Sequence, residues 1–382
     1  MQNIDLYQNY DVAIVGGGLA GLSLSILCSR AGYKTILFEK EKYPFHKVCG
    51  EYISFESWNF INDLGLNLSS LNLPVIKNLI VSSPNGKFIS SKLDTGGFGV
   101  SRYFLDNELK QVAENNGVIV LDNTKVDNVL YTEDNFLVHF NGSSISAKVT
   151  AGTFGKRSNL DVKWKRDFTR KKQGQLNNYL GIKYHIKTNF PENTIALHNF
   201  KNGYCGISKI ENDEYCLCYL TKAENLKNNQ NSIIEMEKAV LFQNPFLKEI
   251  FTKSQFLFSA PVTISQISFD KKQPVENHIL MVGDAAGMIA PLCGNGMSMA
   301  MNSAKIAFGQ ISLFLNNQLS RQEMEDQYKD NWNELFSQRM RRGRGIQKLF
   351  GHEFLTNGFI SIVRHFPFLI QKMIKGTHGE EF

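Results

Sequence analysis

Cysteine is scarce in this chain: six residues among 382, at positions 28, 49, 205, 216, 218 and 293. That excludes a small disulfide-stapled scaffold. No two of them form a Cys-x-x-Cys and no histidine stands at zinc-ligand spacing, so no metal site is expected. A run of about 18 apolar residues is missing too, which excludes a membrane-spanning helix. The opening residues, Met1 to Asp11, are polar and hold no leader core, so the expected location is the cytoplasm, where scattered thiols stay reduced. Charge of one sign is also lacking. The 42 Lys and Arg against 36 Asp and Glu leave only +6 with no nucleic-acid motif beside it, so nucleic acid is not an expected partner. Hydrophobic residues make up 42% and charged residues 20%, which excludes a disordered chain; the length suits two or three domains.

What is present begins at Asp11-Val-Ala-Ile-Val15, a short apolar run suited to a buried parallel strand. It leads into Gly16-Gly-Gly18-Leu-Ala-Gly21, then a helical pattern from Leu22 to Ala31, a stop at Gly32, and a second strand pattern, Lys34 to Phe38, ended by Glu39. Strand, glycine turn, helix, strand and acid within about 30 residues is the βαβ nucleotide unit. Gly16 permits the tight turn, Gly18 lets the backbone approach a pyrophosphate, and Gly21 lets helix and strand pack closely. The helix N-terminus presents free N–H groups to the phosphates. Glu39 is placed to accept from ribose hydroxyls, which disfavours a 2′-phosphate there. Far downstream, Ile279 to Val282 is another buried-strand run, followed by Gly283-Asp284-Ala-Ala-Gly287, Pro291, Gly294-Asn-Gly296-Met297 and a helix pattern from Ser298 to Leu315. An acid at the C-terminal end of such a strand faces the ligand crevice and can hold a ribityl hydroxyl. Gly294 and Gly296 expose N–H groups that can stabilise negative charge.

With both ends read, the chain resembles the FAD-dependent oxidoreductases that include aromatic hydroxylases and geranylgeranyl reductases. The matching segments are VGGGLAGL with Glu39, HKVCGE at 46–51, SRYFLDNEL at 101–109 and VGDAAGMIAPLCGNGM at 282–297. The resemblance implies an α/β fold: a Rossmann-like, glutathione-reductase-type FAD domain, discontinuous in sequence, with an inserted antiparallel-sheet substrate domain and a helical tail. The corresponding blocks are 1–64, 100–165 and 275–335 for FAD, 65–99 and 166–274 for substrate, and 336–382 for the tail. It also implies cofactor contacts from Gly16, Gly18, Ala20 and Gly21, from Glu39 and Lys40, and from Gly283, Asp284, Pro291, Gly294, Gly296 and Met297. Arg102 looks like the family arginine near the diphosphate or ribityl chain, and Val126 like the strand residue whose backbone meets the adenine. Cys49 lies in the loop expected near the isoalloxazine. Cys49 and Tyr204 are the candidates for catalysis.

The activity implied is FAD-dependent oxidation or reduction of an apolar small molecule, aromatic, polyketide- or isoprenoid-like and of the kind met in secondary metabolism. Monooxygenation and geranylgeranyl-reductase-like double-bond reduction both stay open. Two departures matter. Phe154 stands in Gly152-Thr-Phe154-Gly-Lys-Arg-Ser158 where many hydroxylases carry an Asp tied to FAD and reduced nicotinamide. Tyr204 stands alone where prenyl reductases carry Tyr-x-Trp-x-Phe-Pro. No second Gly-x-Gly-x-x-Gly occurs, so electrons come from transiently docked NAD(P)H or another redox protein. Two further readings remain: a membrane-associated binding protein with structural FAD, and an NAD-dependent dehydrogenase.

The middle of the chain alternates like half-buried strands, most clearly at Ile195 to Phe200 and Glu214 to Leu220, with Asn202-Gly203 as a hairpin turn. A helix pattern at Ile233 to Phe242 is expected to end at Pro245. The basic run 156–172 reads as a solvated face. The basic, aromatic-rich tail, 339–375, reads as a segment packed on the body, or as one lying on an anionic membrane, or as a grip on a carrier-bound or anionic substrate. Gly358 and Pro367 are expected to break its helices.

Overall fold

The Asp11–Val15 run becomes the strand Asn9–Val15 in a computed structural model, which describes residues 9–170, 178–349, 353–365, 371, 376 and 379–382. Its inner residues are fully buried, because both faces are covered by other layers. It pairs in parallel with Thr35–Phe38 on one side and Ser143–Gly152 on the other. The first sheet then runs Val275–Glu276, Ile279–Met281, Ser143–Gly152, Asn9–Val15, Thr35–Phe38, Ile119–Leu121. The hairpin of Val126–Thr132 and Asn135–Phe140 is joined antiparallel to Ser143–Gly152. Helices Leu19–Arg30, Arg102–Asn115 and Gly296–Leu315 pack together on this sheet.

The second sheet has nine strands in two chain blocks. Its order is Gln255–Phe256, Tyr179–Lys187, Tyr215–Lys222, Gly203–Lys209, Thr194–Phe200, Val75–Ser82, Phe88–Gly99, Tyr52–Ser54, with Val262–Ile267 also on Tyr179–Lys187. Its pairs are antiparallel except Val75–Ser82 against Thr194–Phe200. Asn202, at φ +63°, and Gly203 turn the expected hairpin. A separate apolar core, including Ile182, Phe200, Leu217, Met236 and Leu247, lies between this sheet and helices Ile233–Val240 and Pro245–Lys253.

Several expectations are corrected here. Tyr52–Ser54, placed within the first FAD block, pairs with Phe88–Gly99 of the second sheet. The boundary drawn after 165 cuts through an ion-pair cluster: Arg166 is buried and bonds Asp161 and Glu276. Arg166 therefore leaves the solvated basic run; Lys171 and Lys172 lie outside the described residues. Pro245 does not merely end a helix. It opens the next one at the first helical position, where its missing N–H costs nothing, behind an Asn244 cap. Gly358 sits inside the helix Glu353–His365 rather than breaking it, and Pro367 falls outside the described residues.

The helix Arg321–Leu349 explains much of the tail. Met324, Tyr328, Trp332, Phe336 and Met340 recur every fourth residue and are all buried, a stripe that lies on Gly296–Leu315. Ile360 and Val363 of Glu353–His365 pack on Val81 and Ile89, and Phe382 stacks near Phe60. Among the described residues no helix is long and apolar enough to cross a membrane.

Candidate active site

The glycine turn is held open by its neighbours. Gly18 caps the helix Leu19–Arg30 with no side-chain cap, leaving the first N–H groups free for a ligand. A Cβ built on Gly18 would lie 3.6 Å from Arg102 Nη2 and 3.7 Å from Lys47 Nζ. Whatever approaches this backbone meets two cations and a helix N-terminus at once, the setting that suits a diphosphate. Asp106 orients both cations: Arg102 Nε and Nη2 donate to its two oxygens at 2.7 Å, and Lys47 Nζ stands 3.1 Å away. Burial alone would raise the Asp106 carboxyl, but the Arg102 and Lys47 charges outweigh it and lower its pKa.

Glu39 is buried at the end of its strand, where Gly17 N donates to Oε2 at 2.9 Å and Glu41 N to Oε1 at 3.1 Å. Thr124 N donates to Glu39 O at 2.8 Å, which brings the strand beginning at Val126 to the same edge. Lys40 points outward, beside Glu41. Ala20 lies under the downstream turn, since a Cβ on Gly283 would come 3.1 Å from its own. The two ends of the chain therefore meet at one place. Gly283 N donates to Ser303 Oγ, and Asp284 is half-buried beside a cleft of about 220 Å³, open mouth included, that Gly296, Met299 and Trp332 also line. Lys272 Nζ donates to Asp284 O at 2.8 Å and to Lys156 O at 2.7 Å; burial lowers this ammonium to about 8. Pro291 opens a short turn that Gly294 closes at φ +68°, before Gly296 starts the long helix without a side-chain cap.

The segment His46–Glu51 crosses between the two sheets, and its carbonyls are gripped one after another. Lys156 Nζ donates to Val48 O at 3.3 Å, Cys216 Sγ to Cys49 O at 3.2 Å and Ser208 Oγ to Gly50 O at 3.3 Å. Cys49 Sγ faces Met297 Sδ at 3.5 Å, at the mouth of the long helix. Glu51 is wholly buried and accepts from Arg102 N at 2.7 Å, from Lys183 Nζ and from His185 Nε2 at 2.7 Å. Burial would raise its carboxyl; Lys183 and His185 instead hold it at about 2. Glu51, His185 and Cys216 bring three donor atoms within 4.8 Å. The Lys183 ammonium already neutralises that carboxylate and Cys216 is engaged with Cys49 O, so the arrangement is an ion cluster rather than a metal centre. His46 packs between Tyr103 and Phe258, and burial, with the Lys183 and His185 charges, lowers it to about 4.

Tyr204 is buried among Tyr179, Leu220, Ile267, Phe269 and Met288, and burial pushes its hydroxyl far up. Phe154 lies against Trp164 and the Gly152 backbone. Sequence reasoning missed Lys47, Asp106, Lys156, Lys183, His185, Glu211 and Lys272. Asp106 had a signal, standing four residues after Arg102 on one helix face. Glu211 had none: it caps the Arg102–Asn115 helix from outside by accepting from Ser101 N at 2.7 Å, 110 residues away.

The glycine turn, its paired cations and the second uncapped helix start fit a flavin dinucleotide. The comparisons agree. The family model described as "FAD binding domain" matches residues 9–342. A conditioned medium factor receptor of Dictyostelium discoideum is 24% identical over 94% of this chain and 72% of its own length. A digeranylgeranylglycerophospholipid reductase of Methanococcus vannielii is 24% identical over 86% of this chain and 83% of its own. A geranylgeranyl bacteriochlorophyll reductase-like structure from Thermoplasma acidophilum superimposes with a TM-score of 0.78, covering 94% of this chain and 92% of that one at 19% identity. The chain belongs to the FAD binding domain family and is an FAD-dependent oxidoreductase.

Proposed function

We propose that this oxidoreductase reduces a carbon–carbon double bond in an apolar, isoprenoid-like substrate. The observation that carries the reading is the HKVCGE segment. Three of its carbonyls are held in succession by donors from elsewhere, and its Cys49 thiol faces Met297 at the start of the long helix. That contact supports reading Cys49 as the residue beside the flavin ring and the candidate to meet substrate. Bound FAD supplies two-electron chemistry; the chain's own residues hold it, exclude water and move protons. In this reading Gly16, Gly18, Gly21 and Glu39 receive the adenosine diphosphate half with Arg102 and Lys47. Asp284 receives the ribityl chain, and Gly294, Gly296 and Met297 the pyrimidine edge. The buried apolar cluster of Tyr179, Tyr204, Leu220, Ile267 and Phe269 in the second sheet region supports an apolar substrate. NAD(P)H docks transiently as reductant, since Phe154 stands where a carboxylate would assist a resident nicotinamide. Delivery of the substrate from a membrane surface is supported by exposed Ile362 beside Arg364 on Glu353–His365, and flotation with anionic vesicles tests it.

The deciding experiment is anaerobic. Purified protein should show a flavin spectrum that bleaches on chemical reduction and recovers when an isoprenoid alkene is added, the alkene gaining two hydrogens. Recovery only on admitting oxygen, with an oxygen atom in the product, would replace the reductase reading by the monooxygenase one.

A further inference from the structure

Gly206 stands in the middle of the strand Gly203–Lys209 and is the one residue of that strand not fully buried. Glycine inside a strand packs nothing and weakens it, so its presence calls for a cause. For the other glycines of the second sheet the cause is local. Gly96 adopts a φ of +64°. A Cβ on Gly97, Gly99 or Gly203 would collide with the carbonyl of Ile53, Lys209 or Leu220, and one on Gly181 would meet Val48 Cγ1 at 2.9 Å. Gly206 has neither constraint. Its backbone is not left-handed, and a Cβ there would find Cys218 O and Leu197 Cδ2 at 3.6 Å, ordinary contact distance. The cause left is a molecule that comes close to the bare backbone.

The neighbours of Gly206 extend that opening across the sheet. In register, Lys183, Cys218, Gly206, Leu197 and Val81 stand side by side on five adjacent strands. Lys183 and Val81 at the ends are buried, while Cys218, Gly206 and Leu197 between them are each partly open. An interior row with closed ends and an open middle is a trough. Its floor carries no free charge, since Lys183 is paired with Glu51. Two residues along the same strands, and so on the same face, Cys216 and Ser208 donate to the carbonyls of Cys49 and Gly50. This face therefore looks at the His46–Glu51 loop. Cys218 also lies within electrostatic reach of Cys49 and of Lys156, whose Nζ donates to Val48 O. The opposite face, with Ile182, Ala196, Ile207 and Leu217, is packed into the core beneath the helices. At the far end Leu197 touches the cluster of Val81, Ile360 and Val363, where the helix Glu353–His365 covers the sheet. Strands lie about 4.8 Å apart, so the row from Cys218 to Val81 spans about 14 Å.

We infer that Gly206 is a specificity-determining residue, the bare point in the floor of a trough that takes the long apolar chain of the substrate. The chain lies across Cys218, Gly206 and Leu197, with its reacting part at the Cys49 loop and its far end toward the helix Glu353–His365. For the chemical class of that chain this rests on the isoprenoid reading above; the trough itself does not. A side chain in place of the Gly206 hydrogen fills the trough at its midpoint and shortens what it can hold.

The test is equilibrium binding of alcohols to the holoenzyme, read as the change in flavin absorbance. Two chain types are compared, geraniol against geranylgeraniol and octanol against hexadecanol. In Gly206→Ile the longer alcohol of each pair should bind at least about tenfold more weakly, since one misplaced methylene already costs an apolar pocket about that much. The shorter alcohol should stay within about threefold of wild type, with flavin content unchanged. Gly206→Ala adds a carbon that meets nothing closer than 3.6 Å, so it should fold at least as well as wild type and show a smaller loss of the same kind. Long-chain binding within about twofold of wild type in Gly206→Ile would overturn the trough, and so would equal losses for short and long alcohols. A wild type that binds neither long alcohol would overturn it too. Wild-type protein that binds hexadecanol, with the expected loss in Gly206→Ile, but neither isoprenoid would establish the trough and overturn the isoprenoid reading.

Discussion

Asp106→Asn removes a charge from the centre of the proposed diphosphate site and leaves its shape intact. Asp106 is 1% exposed and takes both donors of Arg102 at 2.7 Å and Lys47 Nζ at 3.1 Å. Breaking one side of a buried ion pair costs about 3–5 kcal/mol, because the remaining charge stays buried without its partner. At about 2.1 cal/mol/K per residue, 382 residues give an unfolding entropy of roughly 0.8 kcal/mol/K, so Tm falls by about 4–6 °C in flavin-free protein. If the FAD phosphates bind at these two cations as proposed, the loss should shrink to about half with FAD bound. Differential scanning calorimetry with and without FAD measures both numbers. Acid pH provides a second check. The Arg102 and Lys47 charges depress the Asp106 carboxyl in the folded state, so its contribution is present above the unfolded value of about 3.9 and is lost as pH falls through the lower, folded value. The wild-type and variant stabilities should therefore converge below about pH 4. Equal Tm losses with and without FAD would refute the idea that these cations await the phosphates.

Gly18→Val puts a side chain between Arg102 and Lys47, so FAD affinity measured by fluorescence quenching should fall roughly 100-fold, about 2.7 kcal/mol. Arg166→Met strands Asp161 and frees Ala285 O and Gln273 O; denaturant unfolding should show a loss of about 3–5 kcal/mol, with weaker FAD binding through the Gly283–Gly287 turn. Glu237 is raised by burial, while Tyr219 and Tyr184 hydroxyls donate to its Oε1 at 2.7 and 2.9 Å. A carboxyl raised by folding stabilises below its unfolded value and loses that contribution as pH rises through the folded one. Glu237→Gln should therefore gain on wild type as pH rises above about 4.3, the unfolded value, and a urea-midpoint difference that stays constant as pH rises to neutrality would refute it.

The parts legible from sequence were those whose physics is local. Strand, glycine turn and helix follow one another within 30 residues, so the Gly16–Gly21 segment and Glu39 could be placed by spacing alone, while the division into two blocks came from the family resemblance. The hidden parts depend on partners far away. Lys183 and His185 conflict with the buried strand that carries them, which is itself a signal, but the acid that resolves the conflict lies more than 130 residues earlier. Arg166 looked like one cation in a basic run; only the fold brings Gln273, Glu276 and Ala285 around it. Pro245 and Gly358 misled for a different reason. Each has a local preference that its neighbours override: Pro245 by an Asn cap before it, Gly358 by a helix that packs Ile360 and Val363 on Val81 and Ile89.

The same locality explains why polar donors from distant elements, rather than apolar packing alone, hold the turns proposed to face the flavin. A backbone that must come close to a ligand is built of glycine and presents carbonyls, so it has no side chains to bury. Its anchors are therefore donors sent from elsewhere: Lys156 to Val48 O, Ser208 to Gly50 O, Lys272 to Asp284 O, Arg166 to Ala285 O. Among these donors the buried Arg166 is balanced by Asp161, and nearby Asp106 and Glu51 balance Arg102, Lys47 and Lys183 in the same way. Losing an apolar residue in such a fold loosens a core. Losing one of these donors frees a turn, and where the donor is a buried cation such as Arg166 it also strands a carboxylate, so cofactor affinity and stability fall together.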